Sequence, residues 1–204
     1  MTEINSLDPE TRCLVLVAKF LQKWASMEAA IHTAMQIALE LDAFQAAIVT
    51  RNTQLRSKLN ILRTLISGAP FEKDKITRFK KTLDDIAKAS GDRNMLAHDA
   101  FTPSSDGKAV SFSVTKAKGG PLSFPETLWD VSRFEAEYAK IERLQASVAE
   151  IIEAINRKQV IDRMREATRT NPAVLYDYGF VQGMSPLLQS LNSETEVAAP
   201  KKDD

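Results

Sequence analysis

Arg93-Asn94-Met95-Leu96-Ala97-His98-Asp99 is the stretch on which the reading of the fold turns. Before it, apolar residues recur every three or four positions, the period of a helix. After it, they alternate with polar ones, the period of a strand. It also sets one of the chain's two histidines beside a guanidinium and a carboxamide in an otherwise apolar run.

Toward the N-terminus, Ser90-Gly91-Asp92 predicts a break, with Ser90 or Asp92 capping a short helix that carries the stretch. A third helix is expected over residues 71 to 89, with Ile76, Phe79, Leu83 and Ile86 facing inward and Lys73, Lys75, Arg78, Lys80 and Lys81 crowding its first half. A second, basic helix is expected over 43 to 67, with Ile48, Leu55, Leu59, Leu62 and Ile66 as its stripe and Gly68 and Pro70 closing it. The first is expected over 9 to 41. Asp8 caps it, Pro9 suits its first position, and Leu14, Val17, Leu21, Trp24, Ile31, Met35 and Ala38 give its stripe. Glu28 falls inside that stripe, and His32 lies one turn on, facing the same way.

Toward the C-terminus, Ser104-Ser105-Asp106-Gly107 signals a tight turn, and Val110-Ser111-Phe112-Ser113-Val114 alternates as a strand does. Leu122-Ser123-Phe124 is expected to pair back, giving a small hairpin over about 101 to 125. Asp130 or Ser132 then caps a last long helix, in which Val131, Phe134, Tyr138, Ile141, Val148, Ile152 and Ile155 form a narrow seam suited to another helix, in the same chain or in a second copy. Val160 to Arg169 reads as a separate short helix, and the last dozen residues as a disordered polar tail. The expected fold is an all-α bundle of four to five helices with a β-hairpin inserted after the Arg93–His98 stretch. The expected divisions are a helical domain over 1 to 157, an extension over 158 to 192 and a tail over 193 to 204.

The 204 residues are 44% hydrophobic and 26% charged, the balance of a packed domain. Lys+Arg and Asp+Glu both number 27, so no overall field draws the chain to nucleic acid or to an anionic membrane, although a local basic patch remains open. The lone Cys13 makes no intrachain disulfide and no thiolate metal cluster. Neither a signal-peptide pattern nor an apolar run of the roughly 18 to 20 residues a membrane span needs is visible. The expectation is a soluble cytoplasmic protein with no metal, no cofactor and no membrane association.

The chemistry on offer is narrow. No serine nucleophile with a matching base, no metal-ligand cluster and no glycine-rich phosphate loop stands out. His98 can take or give a proton near neutral pH, Arg93 offers a planar fork of donors to phosphate oxygens, and Asn94 can fix an oxygen or orient the imidazole. Metal-free RNA cleavage needs such groups. A base takes the 2′-hydroxyl proton, the oxygen attacks the adjacent phosphorus, and cations stabilise the transition state. On a regular helix, however, Arg93 points about 140° away from His98. Either Arg93 sits at a frayed helix start, or a second copy related by a two-fold axis completes the site.

The stretch Arg93-Asn94-Met95-Leu96-Ala97-His98 resembles the arginine–asparagine–x–x–alanine–histidine segment of HEPN-domain proteins. The surroundings add to the resemblance, which covers about residues 10 to 157: Glu28 on a long first helix, Leu55-Arg56-Ser57-Lys58-Leu59 on the second, and a basic third helix. It implies a homodimer with a composite site. For many members it also implies metal-independent endoribonuclease activity in toxin–antitoxin or antiviral defence systems, with RNA and an antitoxin or defence protein as partners. Arg93 and His98 match the signature pair and Asn94 its polar second position, with Glu28 and Lys58 as supporting groups. A subgroup of toxins has a tyrosine two residues after the histidine. Here Ala100 stands there, so regulation through that tyrosine is not expected.

A different class of function competes: a noncatalytic homodimeric module of the same fold that binds RNA, a nucleotide or a partner protein. Zero net charge and the want of a second obvious catalytic group favour it. Each singled-out residue also has a plain role. Arg93 can bridge a carboxylate, His98 can bond to backbone, Glu28 can pair with a cation in the bundle, His32 can flank a core, and Trp24, Phe20, Phe79 and Phe134 can be core aromatics.

Overall fold

A computed structural model describes residues 2–113 and 126–170. The chain is mainly helical, with one small sheet. A four-residue turn of helix, α1 (Thr2–Asn5), precedes α2 (Pro9–Ala38), α3 (Ala43–Arg51), α4 (Leu55–Gly68) and α5 (Lys73–His98). Strands β1 (Phe101–Pro103), β2 (Ala109–Ser113) and β3 (Glu126–Asp130) follow, and then α6 (Val131–Thr170). Residues up to Asn156 make one compact unit, and Arg157 begins a second. The described part of that second unit, 157–170, is helical and carries a Lys158–Asp162 ion pair and an Arg169–Glu166 pair at 2.9 Å.

Within the first unit α2 is the central element, packing against α3, α4, α5 and β1. Its start is local chemistry: Thr11 N–H donates to Asp8 Oδ1 at 3.0 Å, with Pro9 in the first turn. Its buried face runs through Cys13, Leu16, Val17, Phe20, Trp24, Met27, Ile31 and Met35. Leu14, expected inside, is 60% exposed. A face of 3.6-residue period that holds Phe20 and Met27 rotates position 14 into solvent.

Three helix boundaries differ from the sequence reading. The helix expected over 43 to 67 is two helices, α3 and α4. At the end of α3, Ile48 O accepts from both the backbone N–H of Asn52 at 3.3 Å and its Nδ2 at 2.7 Å, and Val49 O accepts from Thr53 Oγ1 at 2.6 Å, so a side chain stands where the next amide would bond. Ile48, freed from the α4 stripe, is 49% exposed. Conversely, α5 runs unbroken through Ser90-Gly91-Asp92. Ser90 Oγ bonds back to Ala87 O at 2.7 Å rather than capping a new helix, and burial of Ala89 and Leu96 on either side outweighs the glycine's preference for a break. The separate helix expected over 160 to 169 is likewise part of α6.

The sheet is antiparallel with order β1-β2-β3. Phe101 pairs with Phe112, and Val110 with Trp129. It therefore has three strands where a two-stranded hairpin was expected. Phe101–Pro103 joins β2 through the Asp106–Gly107 turn, and Glu126–Asp130 pairs on the other side; the expected partner strand at 122 to 124 lies outside the described residues. The inward faces of β2 and β3 supply Val110, Phe112 and Trp129 to an aromatic chain with Phe20 and Phe134, whose neighbouring ring centroids lie 5.2 to 6.1 Å apart. Asp130 Oδ1 accepts from Arg133 N–H at 2.7 Å and opens α6. The α6 seam turns inward within the same chain: Phe134, Ile141, Val148 and Ile155 are buried, Ile151 is buried where Ile152 was expected and Ile152 is half-buried, and Tyr138 donates its hydroxyl to Leu16 O at 2.6 Å.

Candidate functional site

The site is built by α2, α4 and α5. The groove they line has a volume of about 890 Å³. From α2 comes Glu28, from α4 Arg56 between the apolar walls Leu55 and Leu59, and from α5 Asp84, Lys88, Arg93 and Asn94. The α5 residues share a rim because Asp84, Ala87, Ser90 and Asn94 recur at three- and four-residue steps along one side of the helix, with Lys88 and Arg93 flanking that row. Leu96, on the opposite side of the same turn, is buried and anchors the rim to the core.

The unbroken helix decides how the Arg93 stretch is displayed. Arg93 is not at a frayed helix start but well inside α5, with Nη1 donating to Asn94 Oδ1 at 3.3 Å. Arg93 and Asn94 line the groove. His98, the last residue of α5, is exposed and is not among the lining residues. A single chain thus brings two of the three expected site residues to one groove and leaves the third outside it.

The supporting residues make a cluster of their own. Glu28 is half-buried, and its Oε1 accepts a hydrogen bond from Trp24 Nε1 at 3.0 Å, so the cation pairing open to it in the sequence is replaced by an indole donor. Lys58 is buried, and its Nζ lies 2.7 Å from His32 Nε2. Burial pushes His32 below the ordinary histidine value, the Lys58 charge pushes it further, and Glu28 opposes both. Burial also lowers Lys58, again opposed by Glu28. At neutral pH the imidazole is therefore uncharged and accepts a proton of the ammonium through Nε2, which places its own hydrogen on Nδ1.

The charges facing the groove are unequal in freedom. Asp84 is bound by Arg63. Lys88 has Asp85 beside it at 3.8 Å, near the limit of an ion pair. Arg56 has no hydrogen bond or ion pair among the described residues and stands open to a ligand anion. Sequence reasoning gave Arg56 no site role and His32 only a flanking one. The signal that could have found His32 was Lys58 itself: a lysine three residues after Leu55 and next to Leu59 falls in the α4 stripe, and a buried ammonium needs a partner. The basic run 73 to 81 lies outside the groove lining. Lys75 instead sits over the rings of Phe71 and Phe79 at 5.4 and 5.8 Å.

Among the described residues, no group of three or more His, Cys, Asp or Glu is placed to hold a metal ion, and no helix is long and apolar enough to cross a membrane. The arrangement offers guanidinium and ammonium donors for phosphate, a fixed carboxylate, and a carboxamide beside the main arginine. No protein-family model matches the sequence, and no curated protein or solved structure matches it.

Proposed function

We propose that this chain is a HEPN-like homodimeric endoribonuclease that works without a metal, a toxin or defence RNase in its biological setting. Arg93 binds the scissile phosphate and stabilises its transition-state charge, Asn94 orients an oxygen in the site, and His98 transfers a proton. One observation carries the reading. Arg93 and Asn94 face a groove with two further cations, Arg56 and Lys88, while His98 on the same helix does not line it. In the proposed dimer each groove is completed by the His98 of the other copy.

The competing reading, a noncatalytic module binding RNA, a nucleotide or a partner protein, draws on the same displacement of His98 from the groove. Cleavage of total RNA or tRNA in EDTA separates the two, with wild type compared with His98→Ala and Arg93→Ala. Metal-independent cleavage that both substitutions abolish supports the nuclease. Activity that disappears in EDTA, or survives both substitutions, overturns it. Binding without any cleavage establishes the module.

A further inference from the structure

Cleavage at a 2′-hydroxyl needs two proton transfers, one away from the attacking oxygen and one to the departing oxygen. The nuclease reading supplies one group, His98. Among the groove-lining residues, the basic side chains Arg56, Lys88 and Arg93 are cations and cannot take a proton. Two carboxylates remain, Asp84 and Glu28. Asp84 is engaged by Arg63. Glu28 is not engaged by any cation within ion-pairing distance among the described residues, and it is held in place from behind.

That hold is rigid. Trp24 is 1% exposed, stacks on Phe20 with centroids 6.4 Å apart, and gives its indole N–H to Oε1 of Glu28. One carboxylate oxygen is therefore fixed, while the second keeps its lone pairs for a ligand. Oε1 of Glu28 satisfies the buried Trp24 indole while the side chain also lines the groove.

Resting on the nuclease reading, we infer that Glu28 is the general base of this site and that the His98 of the second copy is its general acid. The free oxygen of Glu28 takes the proton of the ribose 2′-hydroxyl. The 2′-oxygen forms a bond to phosphorus, and the bond from phosphorus to the 5′-oxygen breaks. His98 gives its proton to that departing oxygen. The products are a 2′,3′-cyclic phosphate and a 5′-hydroxyl end. Glu28 is left protonated and His98 neutral, and exchange with water resets both. Arg93 carries the equatorial phosphate charge throughout.

The charged groups around Glu28 come from every element that packs there: His32 on α2, Arg56 and Lys58 on α4, and Asp84, Lys88 and Arg93 on α5. His32 and Lys58, 2.7 Å apart, share one proton at neutral pH, so they present one positive charge to the wall rather than two. They are positioning residues: the contact between them ties α4 to α2 beside Glu28.

The test is the pH dependence of kcat on a defined RNA oligonucleotide for wild type, His98→Ala, Glu28→Gln and Glu28→Asp, with an all-2′-deoxy analogue as a binding probe. The expected result is a bell-shaped wild-type profile. Glu28→Gln should lose about 100-fold or more in kcat, lose the acidic limb, and bind the deoxy analogue within about threefold of wild type. Glu28→Asp should keep the acidic limb at a reduced kcat, which reads the same role if the glutamine variant does not fold. A Glu28→Gln enzyme with wild-type kcat and an intact acidic limb, beside an inactive His98→Ala, overturns the assignment of Glu28 and leaves the nuclease standing. Glu28→Gln that loses deoxy-analogue binding as steeply as cleavage also overturns it, because Glu28 is then a binding wall. A wild type that cleaves no RNA overturns the nuclease reading and this inference together.

Discussion

The Nζ of Lys58 and the Nε2 of His32 lie 2.7 Å apart, joining α4 to α2 beside the groove. Both groups are basic, so the bond exists only while one of them has given up its proton. His32 is that group. Its value is held below the ordinary 6.5 by burial first and by the Lys58 charge second.

A lowered histidine means that the unfolded chain binds more protons than the folded one between the folded value and 6.5. The stabilisation from a neutral His32 is thus whole above 6.5, declines as pH falls from 6.5 through the folded value, and is level below it. Thermal midpoints of wild type and His32→Gln, measured from pH 8 to 5, should converge on acidification. A constant gap would show that the imidazole titrates as in water. Lys58, lowered by burial, gives the same sign at the alkaline end: stability rises as pH climbs toward its ordinary 10.5, and Lys58→Met should remove that rise.

The two tryptophans differ in a way that stability measurements can read. Trp24 Nε1 has Glu28 as its acceptor, whereas the buried Trp129 Nε1 has none among the described residues. Trp24→Phe removes core volume and also strips the carboxylate of its donor. Trp129→Phe removes similar volume but relieves an unsatisfied polar atom, which is worth about 1–3 kcal/mol. In urea unfolding Trp24→Phe should be the more destabilising by about 1 kcal/mol or more. Equal losses would show that Trp129 finds a partner.

Helix α5 shows where the sequence misleads. Gly91 reads as a helix stop because glycine has the poorest helical propensity after proline, and Ser90 and Asp92 flank it as caps. Propensity is local, and burial of Ala89 and Leu96 in the shared core overrides it. The start of α2 was legible because Asp8, Pro9 and Thr11 complete their interaction within one turn. Arg93 and Asn94 were singled out from their neighbours alone, and both line the groove. The bond from Lys58 to His32 spans 26 positions, and Arg56 acquires meaning only when α4 lies beside α5, so neither was visible in a periodicity.

Glycine substitutions test that account directly. A Cβ at Gly91 meets nothing within 4 Å, so Gly91→Ala should stabilise the chain by about 0.5–1 kcal/mol through unfolded-state entropy and helix propensity. Gly107 sits at φ +66° in the turn between β1 and β2, and a Cβ there would stand 3.1 Å from Cγ of Pro9. Gly107→Ala should cost about 1 kcal/mol or more. Urea midpoints moving in opposite directions meet the expectation. A destabilised Gly91→Ala would mean that a hinge is needed at the centre of α5.

The placement of His98 outside the groove makes the proposed sharing of sites measurable by mixing. If each site takes Arg93 from one copy and His98 from the other, Arg93→Ala and His98→Ala protomers are inactive alone. Unfolded together and refolded, they form mixed dimers in which one site has lost both residues and the other retains both. With random pairing half the dimers are mixed, and each has one working site of two, so about a quarter of wild-type activity should return. His98 is exposed at the end of α5, so His98→Ala should leave the urea midpoint within about 0.5 kcal/mol of wild type, and its inactivity then reports chemistry rather than unfolding. No recovery from the mixture, with both variants folded and dimeric, would place Arg93 and His98 of the same chain in one site, and the bend needed at the end of α5 would have to be sought in the RNA complex.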